Sequence, residues 1–268
     1  MSILPILVKP GARVNLSLID PEGSATISKD AAKYRLDKLQ KKLLDLQARL
    51  YAEGEQSLLV VLQAMDAGGK DGTIKSVFRG LNPQGVRVTQ FKAPALNELA
   101  HDFLWRVHAN TPEKGMIGIF NRSHYEDVLV VRVNELVPEV VWRRRYDHIN
   151  AFERLLTDSG ARIVKFFLHI SKEEQKARLE DRLNSPDEQW KFSKGDLPVR
   201  EKWEDYMRAY EDAMIECSTE IAPWHVVPAN RKWLRNLMVT QVLVDTLEAM
   251  NPQYPAPEEG LDQVIIPD

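Results

Sequence analysis

The sequence predicts an α/β fold with a mostly parallel sheet, on three observations. Short apolar runs without alternation, such as Ser57-Leu-Leu-Val-Val-Leu-Gln63, read as strands buried on both faces. Stretches with apolar residues at helical spacing separate them. The two patterns alternate along the chain, which is the rhythm of strand–helix–strand units.

Composition narrows the function classes. Among 268 residues, 44% are apolar and 28% charged, ordinary globular usage with enough chain for a sizeable core. Lys plus Arg is 36 and Asp plus Glu is 39, a net charge of −3. That balance excludes a protein held to nucleic acid by bulk positive charge, though not a local basic channel. The single cysteine, Cys217, excludes an internal disulfide framework and a Cys-rich zinc site, and reads as a small core residue near a helix end. No uncharged apolar run approaches a membrane span, and Met1 to Val8 is a poor signal peptide, being short, without a basic flank and carrying Pro5. The expectation is a cytoplasmic protein with no membrane and no nucleic-acid partner.

Residues 1–27 are punctuated by Pro and Gly and read as an irregular N-terminal arm. A helix from Ser28 to Glu53 follows, its leucines at 36, 39, 43, 46 and 50 forming a stripe for a neighbouring helix or a second subunit. The buried strand 57–63 leads through a glycine-rich turn into a helix ending near Arg79. Val86 to Phe91 reads as a strand, Leu96 to Ala109 as one helix, and Met116 to Phe120 as a third strand. Pro138 opens a helix to about Leu156, which Gly160 closes. Arg162 to Ile170 is the fourth strand, and Ser171 with Glu174 caps the next helix. A polar stretch, 185–198, precedes a helix from Pro198 to Ser218, a brief strand from Trp224 to Val227 and a last helix from Arg231 to Met250. The expected organisation is one domain over 28–250, a lid at about 178–202, and a surface tail over 251–268.

Ligands in such sheets bind at the carboxyl ends of the strands, where both informative motifs lie. In Asp66-Ala-Gly-Gly-Lys-Asp-Gly-Thr73, paired glycines let backbone N–H groups curl round an anion, and the helix N-terminus and Lys70 add positive charge. The match to the P-loop pattern is partial: Ala64 stands where the first glycine belongs and Asp71 where the hydroxyl belongs, with Thr73 close by. Asp66 inside an anion cradle makes sense beside a bound Mg²⁺ or a proton on the acceptor. The bland alternative is a glycine-rich turn with a surface lysine. The second motif, Asn121-Arg-Ser-His-Tyr-Glu-Asp127, leaves the third strand. Arg122 suits a bidentate phosphate clamp, or else an ion pair with a nearby acid. Glu126 and Asp127 suit Mg²⁺. His124 is either a general base or a stacking or capping residue. The lid stretch is a polar insertion of mixed charge that reads as a mobile cover or as an ordinary helical hairpin.

Together these residues resemble the polyphosphate kinase 2 family, from about Lys33 to Pro255. Four blocks carry the resemblance: Met65 to Thr73, Phe120 to Val128, Trp190-Lys-Phe-Ser-Lys-Gly-Asp196, and Ala222-Pro-Trp224 with Pro228-Ala-Asn230. The resemblance implies a P-loop kinase-like three-layer fold with a helical lid. It also implies Mg²⁺-dependent, reversible phosphoryl transfer between inorganic polyphosphate and AMP, ADP or ATP, in a homo-oligomer, dimer or tetramer. By resemblance, Asp66, Lys70 and Arg122 are catalytic. Gly68, Gly69, Lys70, Asp71, Gly72, Thr73, Arg178, Arg182, Lys191 and Lys194 bind phosphate or polyphosphate. Asn121, Arg122, Glu126 and Asp127 are expected to face the nucleotide; because the family's metal-binding acid is missing at Asn121, the metal role shifts to Asp66, Glu126 or Asp127, with Asp66 and Asp127 the expected holders. Asp196 belongs to the lid block. The ADP-restricted branch reads about Asp-Arg-Ser-Trp-Tyr-Asn-Arg at the second strand end. Asn121 departs from its metal-binding acid, and the pattern looks like the branch that accepts both AMP and ADP. Two other classes remain: an ATP-dependent nucleotide or small-molecule kinase, and a non-catalytic polyanion-binding module.

Overall fold

The computed structural model describes residues 3–24, 27–261 and 264–267. Of the expected arm and tail, residues 1, 2, 25, 26, 262, 263 and 268 lie outside the described residues. The strands are β1 (Ile6–Val8), β2 (Ser57–Gln63), β3 (Val86–Gln90), β4 (Ile117–Asn121), β5 (Ala161–His169) and β6 (Trp224–Pro228). They form one sheet in the order β1-β6-β5-β2-β4-β3. All neighbours are parallel except β1, which runs antiparallel to β6 with Ile6 opposite Val226. The sheet is therefore the mostly parallel α/β sheet expected. Every residue of β2 and β4 is buried, which is why their sequences show no alternation.

The arm departs from the irregular segment expected. Ser218 Oγ donates to Val8 O at 2.6 Å, and β6 offers an open edge, so three residues too few to read as a strand alone are held as one.

The helices are α1 (Lys29–Glu53), α2 (Lys70–Val77), α3 (Leu96–Leu99), α4 (Trp105–His108), α5 (Val130–Val133), α6 (Glu139–Asp158), α7 (Lys172–Asn184), α8 (Asp196–Glu201), α9 (Trp203–Cys217) and α10 (Lys232–Met250). None of the described helices is long and apolar enough to cross a membrane. Ser28 caps α1, Gly54 ends it at φ +65°, its Leu43, Leu46 and Leu50 are buried, and the helix packs on α10. Ser171 Oγ accepts the Glu174 N–H at 3.1 Å, so the expected cap of α7 is in place. Pro138 immediately precedes α6.

Two expected helices are each broken into two. Between α3 and α4 the Asp102 carboxylate takes the Leu104 N–H at 2.9 Å and starts the chain afresh. Between α8 and α9 the backbone turns at Lys202, whose Nζ reaches Asn134 Oδ1 at 2.9 Å. α5 and the single turn over His124–Asp127 are too short to show a period.

Chain order places the site. From central β2 the chain runs out to β3, returns to β4 beside β2, then crosses to β5 on the other side of β2. The carboxyl end of β2 is thus a switch point, and Leu62 lies opposite Asn121 of β4 there. Beneath the β4 exit lies a fully buried network. Glu153 of α6 accepts from Lys165 Nζ (2.6 Å) and from Tyr125 Oη (2.8 Å), with His124 Nε2 at 3.3 Å. Lys165 also donates to Tyr125 Oη (2.8 Å) and to Cys217 O (2.6 Å). Burial pushes the Glu153 carboxyl up, but Lys165 and His124 outweigh it and hold it below its ordinary value. His124 is therefore a buried packing group, set edge-on to Phe152 and lowered in pKa by burial. Cys217 is in the core at the end of α9.

A buried pair costs most when one partner is left alone. Glu153→Leu should lower stability by about 3–5 kcal/mol, because Lys165 remains as an uncompensated charge. Adding Lys165→Met should restore a large part of the loss, which urea unfolding of the single and double variants measures.

Candidate active site

The turn from β2 into α2 is shaped by two glycines. A Cβ on Gly68 would sit 2.5 Å from Ala64 Cβ and 2.7 Å from Met65 O, so no side chain fits. Gly69 adopts φ +98° and Ala67 φ +57°, turning the chain sharply into the helix. The carbonyls of this turn are paired outward. Lys70 Nζ donates to Ala64 O (2.9 Å), Gln175 to Asp66 O (2.9 Å), Arg178 to Ala67 O (3.1 Å) and Thr73 Oγ1 to Gly69 O (3.0 Å). The first N–H groups of α2 have no intrahelical partner and stay available to an anion. Lys70 stands half-buried among them, its pKa lowered first by burial and then by Arg122. Thr73 is buried, with its hydroxyl on the loop carbonyl. Asp71 Oδ1 accepts from Asn121 Nδ2 at 2.6 Å, a clasp between α2 and the end of β4.

Arg122 is the first residue beyond β4. Its φ of +60° is uncommon for a non-glycine residue, and its N–H is fixed to Leu62 O at 3.1 Å. The guanidinium lies 2.6 Å from Asp66 Oδ1 and 3.8 Å from Glu126 Oε2. Burial works against the Arg122 charge, but Glu126 and Asp66 outweigh it and raise its pKa. Burial raises the Glu126 carboxyl, with Arg122 and Lys70 offsetting only part of the rise. These groups line a cleft of about 130 Å³ walled by Tyr206 and Tyr210 of α9. Asp127 does not line it. Its carboxylate is held by Arg145 at 2.8 Å, and burial pushes its pKa up to about 6.

A second cavity, of about 260 Å³, lies on the other side of the loop. It is lined by the loop residues Ala67–Gly72 and by Arg178, Arg182, Lys191, Lys232 and Arg235, with Asp181 and Glu188 among them. Arg182 approaches Asp196 at 3.9 Å and Lys191 pairs with Glu188 at 2.7 Å. Lys194 is exposed and lies outside this lining. Arg178 is buried, and its bonds go to Glu174 Oε1, Ala67 O, Ala229 O and Asn230 O. That is the bonding of a strut joining α7, the loop and the β6–α10 turn.

The polyphosphate kinase 2 profile matches residues 26–255, nearly the whole domain. The chain belongs to the polyphosphate kinase 2 family. It is 55% identical, over 97% of its length and 98% of the relative's, to an AMP/ADP-polyphosphate phosphotransferase of Meiothermus ruber. It is 48% identical to an ADP-polyphosphate phosphotransferase of Rhodopseudomonas palustris, over 80% of this chain and 78% of that one. A crystal structure of polyphosphate kinase 2 from Arthrobacter aurescens TC1 superposes with a TM-score of 0.91 at 44% identity, covering 97% of this chain and 96% of that one. The fold read from the strand order is thus the fold of a solved member of the polyphosphate kinase 2 family.

Several residues of the site carry no mark in the sequence. Gln175, on the helix of the candidates Arg178 and Arg182, and Arg235, on a helix without candidates, are brought to the loop only by the tertiary fold. Tyr206 and Tyr210 share one face of α9 by their spacing of four, a signal that reads equally well as core packing.

Arg178 and Lys194 should separate in stability. Arg178→Met leaves three backbone carbonyls and Glu174 without their partner, so the unfolding free energy should fall by about 2–4 kcal/mol. Exposed Lys194→Met should leave it within about 0.5 kcal/mol, both read from denaturant midpoints.

Proposed function

We propose that the protein transfers a phosphoryl group from inorganic polyphosphate to AMP and ADP, giving ADP and ATP. The observation that carries this reading is the pair of cavities meeting at the loop, one walled by cations and backbone N–H groups, the other by an arginine between carboxylates. The activities for which the relatives are named agree with it. No aromatic ring stands among the residues lining the basic cavity, so it offers a condensed phosphate chain what it needs and a donor base no stacking face. This favours polyphosphate over ATP as donor. Arg122, Glu126 and the two tyrosines serve the acceptor.

In this reading a terminal phosphate oxygen of the nucleotide attacks the end phosphorus of the chain. One phosphoanhydride bond forms as another breaks, and the chain leaves one unit shorter. Bond types match on the two sides, so the reaction runs both ways. The transferred group is loose and metaphosphate-like, and the protein's part is to position it and neutralise its charge. Lys70 leaves the loop carbonyls for the transferring group. Arg122 holds the acceptor phosphate while Asp66 keeps its guanidinium in place.

The donor set suits Mg²⁺. Burial raises the Asp196 carboxyl, and Asp66 raises it further; Asp66 also adds to the rise of Glu126, so these acids feel one another. Mg²⁺ is commonly held by one or two carboxylates plus substrate phosphate, and the cleft offers carboxylates in Asp66 and Glu126. Asp66 lines the acceptor cleft and would hold it through the carboxylate oxygen that Arg122 does not take, with Asp196 beside it; Asp127 lies outside that cleft. Bound there, Mg²⁺ would neutralise charge on the phosphate oxygens.

The test is direct: purified protein, Mg²⁺ and polyphosphate with either AMP or ADP, the nucleotides resolved by chromatography. ADP and ATP should appear without added ATP, and a phosphotransferase inert with polyphosphate would overturn the reading. Lys70→Ala should lower turnover by about 10²–10³ in a protein that still folds, as circular dichroism checks. Asp66→Asn, which keeps shape and removes charge, should raise the Mg²⁺ needed for half-maximal rate.

A further inference from the structure

Arg235 is buried, only 2% exposed, and its guanidinium meets no carboxylate among the described residues. Its acceptor is one amide oxygen, Asn236 Oδ1, at 3.0 Å from Nε and 2.8 Å from Nη2. Nη1 lies against Gly69, where a Cβ would collide with it. Arg178, in the same wall, is different: Glu174 balances its charge and backbone carbonyls take its remaining donors.

Two further features add positive potential at this point. Lys232 and Arg235 occupy the start of α10, which has no acid in its first turn, so the helix's own partial positive charge adds to theirs. Arg178 is a second buried cation facing Arg235. Burial, then Arg178, lower the Arg235 pKa to about 10. A buried charge without a counter-charge is costly, and an anion in the cavity relieves the burial, the like charge and the helix end together.

We propose that Arg235, assisted by Lys232, is the residue that grips a non-transferred phosphate of the donor chain against the glycine loop. The claim rests on the donor reading given above. Lys232 lines the same cavity from the rim, where it is exposed and suited to the next phosphate outward. The chemistry recognised is a condensed inorganic phosphate: planar donors and backbone N–H groups, with no ring to receive a base.

The experiment uses full-length protein and reads binding and melting, with tripolyphosphate as the probe and orthophosphate and ADP as comparisons. In Arg235→Gln the ligand-free melting temperature should not fall, because a lone buried charge is removed. The tripolyphosphate Kd should rise by about 10- to 100-fold, the loss of one charged contact, while the ADP Kd stays within about twofold. A lowered ligand-free melting temperature with unchanged tripolyphosphate Kd would make Arg235 a prop for Gly69 and overturn the proposal. Exposed Lys232→Gln folds regardless and should weaken tripolyphosphate about threefold or more by losing one rim charge; unchanged Kd there, where Arg235→Gln fails to fold, also overturns it. Wild-type protein that binds tripolyphosphate but phosphorylates neither AMP nor ADP refutes the enzymatic reading alone, and the Kd ratio still judges Arg235. Wild-type protein that binds no tripolyphosphate refutes both.

Discussion

The site depends on how the carbonyl groups of one turn are satisfied. A chain that curls to aim N–H groups at an anion must point carbonyl oxygens elsewhere, and buried ones need donors. Here Gln175 and Arg178 come from α7, Thr73 from α2, and Lys70 from the turn itself. The β4 exit is fixed in a similar way, by the Asp71–Asn121 clasp above and the Glu153–Lys165 network below. Loop, helix α7 and the second strand end thus form one cross-braced unit, which explains how Arg122 and Ala67 keep backbone angles that residues with a Cβ rarely adopt.

A protein with net charge −3 builds its cationic surface by position. Of the acids near the loop, Asp66 and Glu126 sit on the acceptor side with Arg122, Asp71 is turned to Asn121, and Asp181 and Glu188 stand among the cations of the other cavity. The innermost wall on the other side is arginine and glycine backbone. Separating the signs across a single turn creates a field gradient in the direction a phosphoryl group travels, which whole-chain charge would not disclose.

Most of this architecture can be read from residues. The strands β2 and β4 announce themselves as apolar runs, β5 as one interrupted only by Lys165, and the cap of α7 by Ser171. What escapes is tertiary. β1 has three residues and exists because β6 has an edge to fill. Asp102 and Lys202 break helices by side-chain bonds that no propensity encodes. The glycine loop and Arg122 are visible as motifs, since their chemistry needs particular residue types. Arg178 shows the limit of that reasoning: an arginine in a basic stretch gives no sign of whether it meets ligand or backbone carbonyls. Arg235 shows the reverse, one arginine of an ordinary helix brought to the loop by the packing of α10.

The pairing of β1 with β6 also bears on how the chain reaches this fold. The first strand in sequence takes as its partner the last strand, so Ile6 waits for Val226. The parallel strands between them need only nearer neighbours. During synthesis the opening residues therefore stay unpaired until nearly the whole domain has emerged, and the β6 edge is covered only at the final step. A contact of such long sequence separation contributes little to early folding and much to closing the finished sheet against edge-to-edge association.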